Sequence, residues 1–402
     1  MKTIWYSVLF VCFSLCAFSQ EYYSVSGYVK DTNTGEALIG ALVYETTHNK
    51  SVITNGYGYY SFSLPAGKCS FNCSYLGYNS HNEDMVLTQD TLRDIFLQPT
   101  FISVESVIIT AEKPVNPIRI NEFNTEKITA QSISRTPTMF GEADVIKTIQ
   151  LQSGVKTLGD GSSGMFIRGG SSDQNLIVID EAPIYNPSHL FGLISVFNPD
   201  ALNYVYVYKS NMPAQYGGRV SSVIDCKMKE GNMYEHDFSV GISPFSGIVT
   251  VNGPIVPEKS SFFISGRKSL IDLAFNPGRN LALVPAFYDV NMKINTKIGS
   301  KNRLFFSFYN GNDVLESVDG FYNTWGNTSG TLRWNRNFGS KLFVNTSCIV
   351  SDYRNFLEFK DTERDYTWRT GVSDVNVKCD ATYYVHPGNE IKFGLGSIYH
   401  RF

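Results

Sequence analysis

The dominant pattern in the chain is a regular alternation of apolar and polar positions in its C-terminal part, from about residue 235 onward. In residues 288–298 one set of alternate positions is mainly apolar and the other is polar, and the same period of two returns in residues 375–383 and 391–399. Successive side chains of a β-strand point to opposite faces, so this period predicts strands whose two faces differ in polarity. The C-terminal part is therefore predicted to consist of long antiparallel strands.

The connections between these strands help to separate two architectures, because a soluble sandwich shows the same alternation as a membrane barrel. Short turns at 299–302, 337–340 and 386–389 are predicted to alternate with long connections near 269–286, 311–324 and 355–364. Short turns at one end, long loops at the other and charged inner faces are typical of transmembrane β-barrels. Aromatic residues that fit the interfacial girdles of such barrels are Tyr288, Trp334, Phe338, Tyr383 and Tyr399.

Residues 23–99 alternate short strand and turn signals, which predicts a small antiparallel sandwich of about seven strands. Three segments, VSGYVKDTNTGEALIGALV, TNGYGYYSFSLPAGKCSF and YLGYNS, resemble the carboxypeptidase-regulatory-like (transthyretin-like) domain. The zinc-protease patterns H-x-x-E and H-E-x-x-H do not occur in the sequence. We therefore expect a β-sandwich module without catalytic chemistry.

A linker is predicted for residues 100–134, and it holds one short β-prone run between Glu105 and Glu112. The run consists of Val107, Ile108, Ile109, Thr110 and Ala111. Such a run, flanked by polar residues and prolines, fits a spare strand that adds to the sheet edge of another protein. A last strand of the sandwich explains it equally well, so the residues alone leave both interpretations open.

Residues 135–230 differ from both flanking parts, because glycine clusters separate short apolar runs. A phosphate-binding loop would need G-x-G-x-x-G or G-x-x-x-x-G-K-S/T between a strand and a helix, and neither pattern occurs in that context here. We therefore interpret the glycines as tight turns. The predicted elements are a helix at 143–151 and strands at 165–168, 176–180, 204–208 and 221–227.

Several motifs of this part resemble, in the same order, the plug domain of TonB-dependent outer-membrane receptors of the form common in Bacteroidetes-like bacteria. They are Ile167-Arg168-Gly169-Gly170, the apolar run to Asp180, Tyr185-Asn186, Leu190-Phe191-Gly192, Asn198-Pro199-Asp200-Ala201, Pro213-Ala214 and Tyr216-Gly217-Gly218-Arg219. The order of regulatory-like sandwich, β-prone box and plug is also similar to that family. One departure is Glu181, where the family often has Gly, and it puts the local turn in question.

The resemblance implies a function as well as a fold. Under it, residues 107–111 become the TonB box, which the periplasmic domain of TonB grips with energy from its inner-membrane complex. The receptor then binds a scarce solute of small or medium size and imports it into the periplasm as the plug moves. Candidate solute contacts lie in the apical plug loops 160–163 and 185–191, and the residues selected there are Asp160, Tyr185, Asn186 and His189. For His189 a structural role fits equally well. An outer-membrane signalling or adhesion protein without transport is the alternative, and no enzyme, cofactor or metal is expected.

The N-terminus and the composition fit an exported protein. Residues 1–19 carry Lys2, an apolar stretch and the small residues Ala17 and Ser19, which is the pattern of a secretory signal peptide. The formal net charge of −3 lacks the basic excess of a nucleic-acid-binding protein. No later apolar run is long enough for a transmembrane helix. We expect an outer-membrane location, with lipid around the strands and with the plug and the sandwich on the periplasmic side.

The size of the predicted plug sets the size of the expected barrel. A domain of that length has a radius of gyration of about 12 Å, whereas an eight-stranded barrel has room only for side chains. Such a plug needs about 22 strands, and about nine are predicted in residues 235–402. We therefore expect a mainly β chain with a sandwich, an α+β plug and the first part of a transmembrane barrel, in a C-terminally truncated sequence or gene.

Overall fold

The computed structural model describes residues 21–100, 125–136, 142–159, 161–271, 283–317, 320–360, 365–386 and 389–402. The predicted signal peptide, residues 107–111 and Asp160 lie outside these ranges. No helix among the described residues is long and apolar enough to cross a membrane. The fold class is the predicted one: mainly β, with an N-terminal sandwich, a plug and a partial barrel.

The N-terminal sandwich consists, within the described residues, of two four-stranded sheets. Its strands are β1 (Tyr22–Asp31), β2 (Leu42–Glu45), β3 (Lys50–Ile53), β4 (Tyr59–Pro65), β5 (Gly67–Ser74), β6 (His81–Leu87), β7 (Thr91–Leu92) and β8 (Ile95–Leu97). In one sheet β4, β7 and β8 pair with β1, and in the other the order is β3-β2-β5-β6. Side chains from both sheets, among them Val25, Phe62 and Phe71, meet in a buried core.

The plug contains short strands and short helices. The strands are β9 (Thr125–Thr129), β10 (Val155–Lys156), β11 (Phe166–Ile167), β12 (Asn175–Ile179), β13 (Ala182–Pro183), β14 (Ser188–His189), β15 (Ile194–Ser195), β16 (Leu202–Tyr208) and β17 (Ser222–Met228). The α-helices are Ala130–Arg135 and Val145–Gln150, and the 3₁₀-helices are Ser172–Gln174, Leu190–Gly192 and Pro199–Ala201. Strands in the order β13-β12-β17-β16-β9 form a mixed sheet over an apolar core.

The plug sheet begins inside the segment that the sequence analysis assigned to the linker. Strand β9 pairs with β16 from Thr125 opposite Tyr208 to Thr129 opposite Tyr204. Ile128 of this strand is buried in the plug core. The sequence did not predict this strand, because Ile128 is a single apolar residue in an otherwise polar segment. Residues 125–129 are therefore part of the plug fold.

The wall of the partial barrel is one antiparallel sheet whose strands follow each other in chain order. They are β18 (Asp237–Ile242), β19 (Ser246–Val256), β20 (Ser260–Ser269), β21 (Leu283–Ile298), β22 (Asn302–Ser317), β23 (Phe321–Phe338), β24 (Leu342–Lys360), β25 (Asp365–His386) and β26 (Asn389–Arg401). The described part of the chain thus holds nine wall strands, and about nine were predicted. Strand β25 has 22 residues, about twice the 9–11 residues with which a β-strand crosses a bilayer.

Two of the three predicted long connections are wrong. Strand β22 ends at Ser317 and β23 begins at Phe321, and strand β24 ends at Lys360 and β25 begins at Asp365. For the third, near 269–286, β20 ends at Ser269 and β21 begins at Leu283, and residues 272–282 lie outside the described ranges. Polar residues interrupt the apolar pattern in the other two segments, but main-chain pairing continues through them because it does not depend on side-chain polarity.

The wall has a polar inner face and an apolar outer face. On β21 the inner residues Asp289, Asn291 and Lys293 are at most 2% exposed, whereas the outer residues Tyr288 and Val290 are 42% and 36% exposed. The alternation predicted for residues 288–298 is therefore confirmed. A soluble sandwich turns its apolar face inward, so this reversed arrangement is that of a transmembrane barrel around a polar interior.

Candidate functional site

The plug segment 180–191 runs along the inner face of the wall. We call the end of the wall where residues 339–341 join β23 to β24 the turn end, and the opposite end the far end. Along its length the segment contacts wall residues that lie progressively farther from the turn end, first Asn345, then Asn327 and then Asp313. The candidate site is therefore the interface between this segment and the wall.

Asp180 and Glu181 form the turn of a hairpin between β12 and β13, in which Ile179 pairs with Ala182. Their φ angles are 43° and 79°. A type I′ turn requires positive φ at both central residues, and glycine is preferred at the second. The hairpin forms although Glu181 occupies that second position, so the departure from the family pattern leaves the turn intact.

Both carboxylates of this turn are buried next to cations. Asp180 Oδ2 lies 2.9 Å from Lys293 Nζ, and Glu181 Oε2 lies 3.1 Å from Lys378 Nζ. Burial by itself raises the pKa of Asp180, but Lys293 and then Arg333 outweigh it and lower the pKa to about 2. Burial likewise raises the pKa of Glu181, but Lys378 and then Arg333 outweigh it and lower the pKa to about 2. The turn therefore carries two negative charges into a cationic part of the wall.

Tyr185 and Asn186, two of the predicted solute contacts, face the wall in this structure. The Tyr185 hydroxyl donates a hydrogen bond to the Asp374 carboxylate. The Tyr185 N–H donates to Asn327 Oδ1 at 3.1 Å, and Asn327 Nδ2 donates to the Asn186 carbonyl at 2.8 Å. A solute contact at either residue stays a prediction, and it would require these bonds to exchange.

His189 is 1% exposed and lies between two wall carboxylates. Its Nδ1 atom is 2.7 Å from Asp313 Oδ2, and its Nε2 atom is 3.3 Å from Asp289 Oδ2. Its ring stacks on Phe287 with centroids 4.5 Å apart. Burial lowers the pKa of His189, but hydrogen bonds to Asp289 and Asp313 and their charges outweigh it and raise the pKa above the usual value. In this conformation His189 anchors the plug segment, and a solute contact there stays a prediction that needs the loop to move.

Arg267 of β20 extends the same anchor to two other parts of the plug. Its Nε atom lies 2.7 Å from Asp289 Oδ2, and its Nη1 atom lies 2.9 Å from Glu142 Oε1. Its Nη2 atom donates a hydrogen bond to the Ser195 carbonyl at 2.7 Å. One buried guanidinium thus joins Asp289 of the wall to two separate plug segments.

Comparison with known families agrees with this architecture. The family described as TonB-dependent Receptor Plug Domain matches residues 119–223, and the CarboxypepD_reg-like domain matches residues 25–109. The chain has the domains of a TonB-dependent receptor. No curated protein matches the sequence.

Solved structures share the fold of this chain. A mutant of the ferric enterobactin receptor PfeA from Pseudomonas aeruginosa matches with a TM-score of 0.52 and 15% identity, over 69% of this chain and 48% of that chain. The siderophore receptor PirA from Acinetobacter baumannii matches with a TM-score of 0.51 and 14% identity, over 70% and 48%. The copper transporter OprC matches with a TM-score of 0.52 and 10% identity, over 69% and 45%. The chain spans about half the length of these structures.

Two loops of the plug, residues 161–163 and 190–192, lie against each other. Gly192 has a φ of 113°, and a Cβ atom there would lie 2.7 Å from the Ser163 backbone nitrogen. Only glycine therefore lets residues 161–163 pack so closely against residues 190–192. Gly192 belongs to one of the predicted plug motifs, but the motif did not predict its contact with residues 161–163.

Phe191 ends the loop 185–191 that was predicted from the sequence to contact the solute. It is 63% exposed, and its ring lies 4.5 Å from that of Trp325, which is buried in the wall. Its φ of 59° is uncommon for a residue with a side chain and turns the ring away from the plug core. An exposed aromatic side chain on such a loop is available for contact with a ligand.

The glycine motifs of the receptor family form tight turns here, as predicted. Arg168 and Gly169 have φ angles of 49° and 85°. A Cβ atom on Gly170 would overlap the Ser221 side chain, so this turn packs directly against the chain that enters β17. The second motif lies in the exposed loop before β17 and comprises Gly217, Gly218 and Arg219. These residues shape the plug and do not join the interface formed by residues 180–191.

Proposed function

We propose that the protein is a TonB-dependent transporter that imports a solute across the outer membrane when the plug moves. The observation that carries this proposal is the plug held against the polar inner face of an outwardly apolar wall, largely by hydrogen bonds and ion pairs. Polar contacts can exchange with water, whereas a continuous apolar interface resists separation. Such a plug can be displaced while the wall keeps its main-chain pairing.

The polarity of the wall supports a placement in the membrane. Its outer face carries exposed apolar side chains such as Leu332, Val350 and Val377, which suit contact with lipid. The sandwich contacts the turn end, and short turns are periplasmic in bacterial outer-membrane barrels. The far end, with Phe191, therefore faces the outside of the cell in this proposal.

The TonB box proposed for residues 107–111 precedes β9 in sequence. The CarboxypepD_reg-like match extends to residue 109, which supports the alternative that residues 107–111 form a last strand of the sandwich. A strand-forming box would be gripped by pairing with a sheet edge of TonB, which depends on main-chain N–H groups. Proline at Ile109 removes one of these donors and breaks such pairing.

The solute-facing surface is proposed to lie around Phe191 at the far end. Leu193, 37% exposed, lies next to Gly161 and extends this surface toward the other apical loop. Relatives of the same fold are described as receptors for ferric enterobactin and as a copper transporter. At 10–15% identity these similarities extend to the fold alone, so iron chelates and copper serve here as probes.

The test uses the full-length gene in its own organism. Cells with the wild-type gene, a gene deletion, the Ile109→Pro variant or no TonB are compared for growth on limiting iron chelate, copper, vitamin, glycan or peptide. We expect the deletion to impair growth on one of these sources, and both Ile109→Pro and loss of TonB to reproduce that defect. Val115→Pro, beyond the box and already between Pro114 and Pro117, is the matched control and should grow like the wild type.

The growth test also distinguishes transport from signalling or adhesion without transport. A growth defect in the deletion that neither Ile109→Pro nor loss of TonB reproduces would favour signalling or adhesion without transport. Equal amounts of each variant in the outer membrane, measured by immunoblotting, are required for either conclusion.

A further inference from the structure

The sandwich covers the turn end of the wall and binds one of its turns directly. The Ser340 carbonyl accepts hydrogen bonds from the Tyr59 hydroxyl at 3.3 Å and from the Ser61 hydroxyl. The Ser340 hydroxyl in turn donates to Asp90 Oδ2 at 2.9 Å. Three separate positions of the sandwich therefore converge on a single turn of the wall.

Tyr57 reaches from the same side of the sandwich to both the wall and the plug. Its hydroxyl donates a hydrogen bond to Glu181 Oε1 at 3.2 Å. Its ring stacks on Phe343 with centroids 5.2 Å apart, and the Arg333 guanidinium lies 5.2 Å from the ring centroid. Phe343 is closer along β24 to the turn end than Asn345, which contacts Glu181. Tyr57 thus lies on the side of Glu181 that faces the turn end.

The sandwich also holds the plug at two other positions. The Glu230 N–H donates to Glu36 Oε1 at 3.0 Å, immediately after the plug sheet ends. Lys127 Nζ donates to the Ile39 carbonyl at 3.1 Å, and Lys127 belongs to β9, the edge strand of the plug sheet. The sandwich therefore contacts the turn, the edge strand and the C-terminal end of the plug.

A small polar cavity lies where the three parts of the molecule meet. Residues from the sandwich, the plug and the wall line it, among them Glu36, Lys227 and Arg333. Hydrogen bonds around such a cavity exchange with water, and they lie beside a small buried aromatic cluster formed by Tyr28 and Tyr59 of the sandwich and Phe343 and Tyr384 of the wall. This contact is therefore suited to reversible docking.

We propose that the sandwich is a removable cap that holds the Asp180–Glu181 turn in the wall and must leave the turn end before the plug can move. This inference rests on the proposed transport function. A plug that moves toward the turn end carries Glu181 past the position that Tyr57 occupies. The sandwich binds the wall at Ser340 and also binds the plug. While the sandwich stays docked to the wall, it therefore cannot move together with the plug.

The test locks the cap to the wall in the full-length protein. Asp90→Cys and Ser340→Cys replace an exposed and a partly exposed side chain whose oxygens approach to 2.9 Å. A short bifunctional thiosulfonate, which forms reducible disulfides with both thiols, links the pair. The exposed wall cysteines Cys348 and Cys379 are first changed to serine to prevent mispairing. Non-reducing peptide mass spectrometry measures the cross-linked fraction, and uptake of the solute identified by the growth test is measured before and after treatment with a reductant.

We expect uptake by the double variant to fall at least tenfold when cross-linking is complete and to return after reduction. Each single-cysteine variant should import at the wild-type rate in both conditions. Wild-type uptake by a fully cross-linked receptor would overturn the proposal, and so would failure of the pair to cross-link in assembled protein. If the single-cysteine variants show no TonB-dependent uptake either, the proposed transport function fails instead.

A second measurement does not depend on transport. Tyr57→Ala removes the contacts with Glu181 and Phe343, and we expect it to slow cross-linking of the Asp90→Cys, Ser340→Cys pair about fivefold or more. Tyr57→Phe keeps the ring stack and should slow it less. Equal cross-linking rates in the double-cysteine protein with Tyr57, with Tyr57→Ala and with Tyr57→Phe would show that Tyr57 does not hold the cap.

Discussion

His189 Nδ1 of the plug lies 2.7 Å from Asp313 Oδ2 of the wall, and both side chains are buried. The other oxygen of Asp313 accepts a hydrogen bond from the Leu190 N–H at 2.8 Å. One wall carboxylate thus fixes both a side chain and the main chain of the plug, directly before the exposed Phe191. The position of the apical loop depends on this contact.

We expect the stability of the plug to depend on the charge of His189. Its pKa in the folded protein is raised, despite burial, by hydrogen bonds to Asp289 and Asp313 and by their charges. The stabilisation is therefore fully present below the pKa of an unfolded histidine, about 6.5, and is lost as the pH rises through the higher folded-state pKa. Thermal unfolding of the purified full-length protein between about pH 5.5 and pH 9 measures this dependence.

His189→Gln should remove that part of the pH dependence, because glutamine does not titrate. His236→Gln, at an exposed histidine next to β18, is the matched control for the substitution itself. Parallel profiles for the wild type and His189→Gln would contradict the role of this histidine.

Glu181→Gln should destabilise the plug by up to about 3–5 kcal/mol, because the buried Lys378 and Arg333 lose the Glu181 carboxylate, and only Lys378 keeps a second carboxylate, Asp380, at 3.4 Å. Lys378→Met alone should also be costly, and the double variant should recover part of the loss. Equilibrium unfolding of the three proteins in detergent measures these differences. Glu390→Gln removes the exposed carboxylate paired with Lys392 and should change stability by about 1 kcal/mol or less.

Phe191→Ala should weaken solute uptake without loss of stability, because the ring is exposed and contributes little to the plug core. A truncated aromatic contact typically costs more than about 1 kcal/mol of binding, so we expect KM for uptake to rise about fivefold or more. Phe96→Ala, an exposed phenylalanine of the sandwich, is the control. An unchanged KM would place the solute elsewhere at the far end.

Leu332→Arg should impair assembly of the wall in the membrane. Leu332 points to the outer face and is 49% exposed, and arginine on a lipid-facing position costs about 2–4 kcal/mol near the bilayer midplane. The amount of folded protein in outer-membrane fractions, read from its heat-modifiable migration on gels, measures the effect. Leu92→Arg makes the same change at an exposed position of the sandwich, and normal assembly of both variants would contradict lipid contact at Leu332.

The sequence predicted the parts of the fold that depend on neighbours along the chain. The faces of residues 288–298 were correct because the direction of a strand side chain is set by its position in an alternating pattern. The extent of β9 and the lengths of two connections were not predicted correctly. Pairing with β16 extends β9, and pairing with neighbouring hairpins extends the wall strands, through polar residues. A local pattern carries no information about such pairing.

The candidate site shows the same limit. The sequence drew attention to Glu181 as a departure and to His189 as an apical residue, but it named none of their partners. His189 and Asp313 are 124 positions apart, as are Tyr57 and Glu181. Whether a loop residue faces solute or wall depends on which distant charge is buried beside it.

By itself the sequence determined the order of sandwich, plug and wall, the strand faces and the turns shaped by glycine, because periodicity and backbone freedom are local properties. The tertiary structure decided that His189 and Tyr185 face the wall, that Phe191 is exposed, and that the sandwich covers the turn end. These outcomes depend on buried charges and aromatic rings that meet across the fold. Their energies depend on distance and burial, which only the packed structure defines.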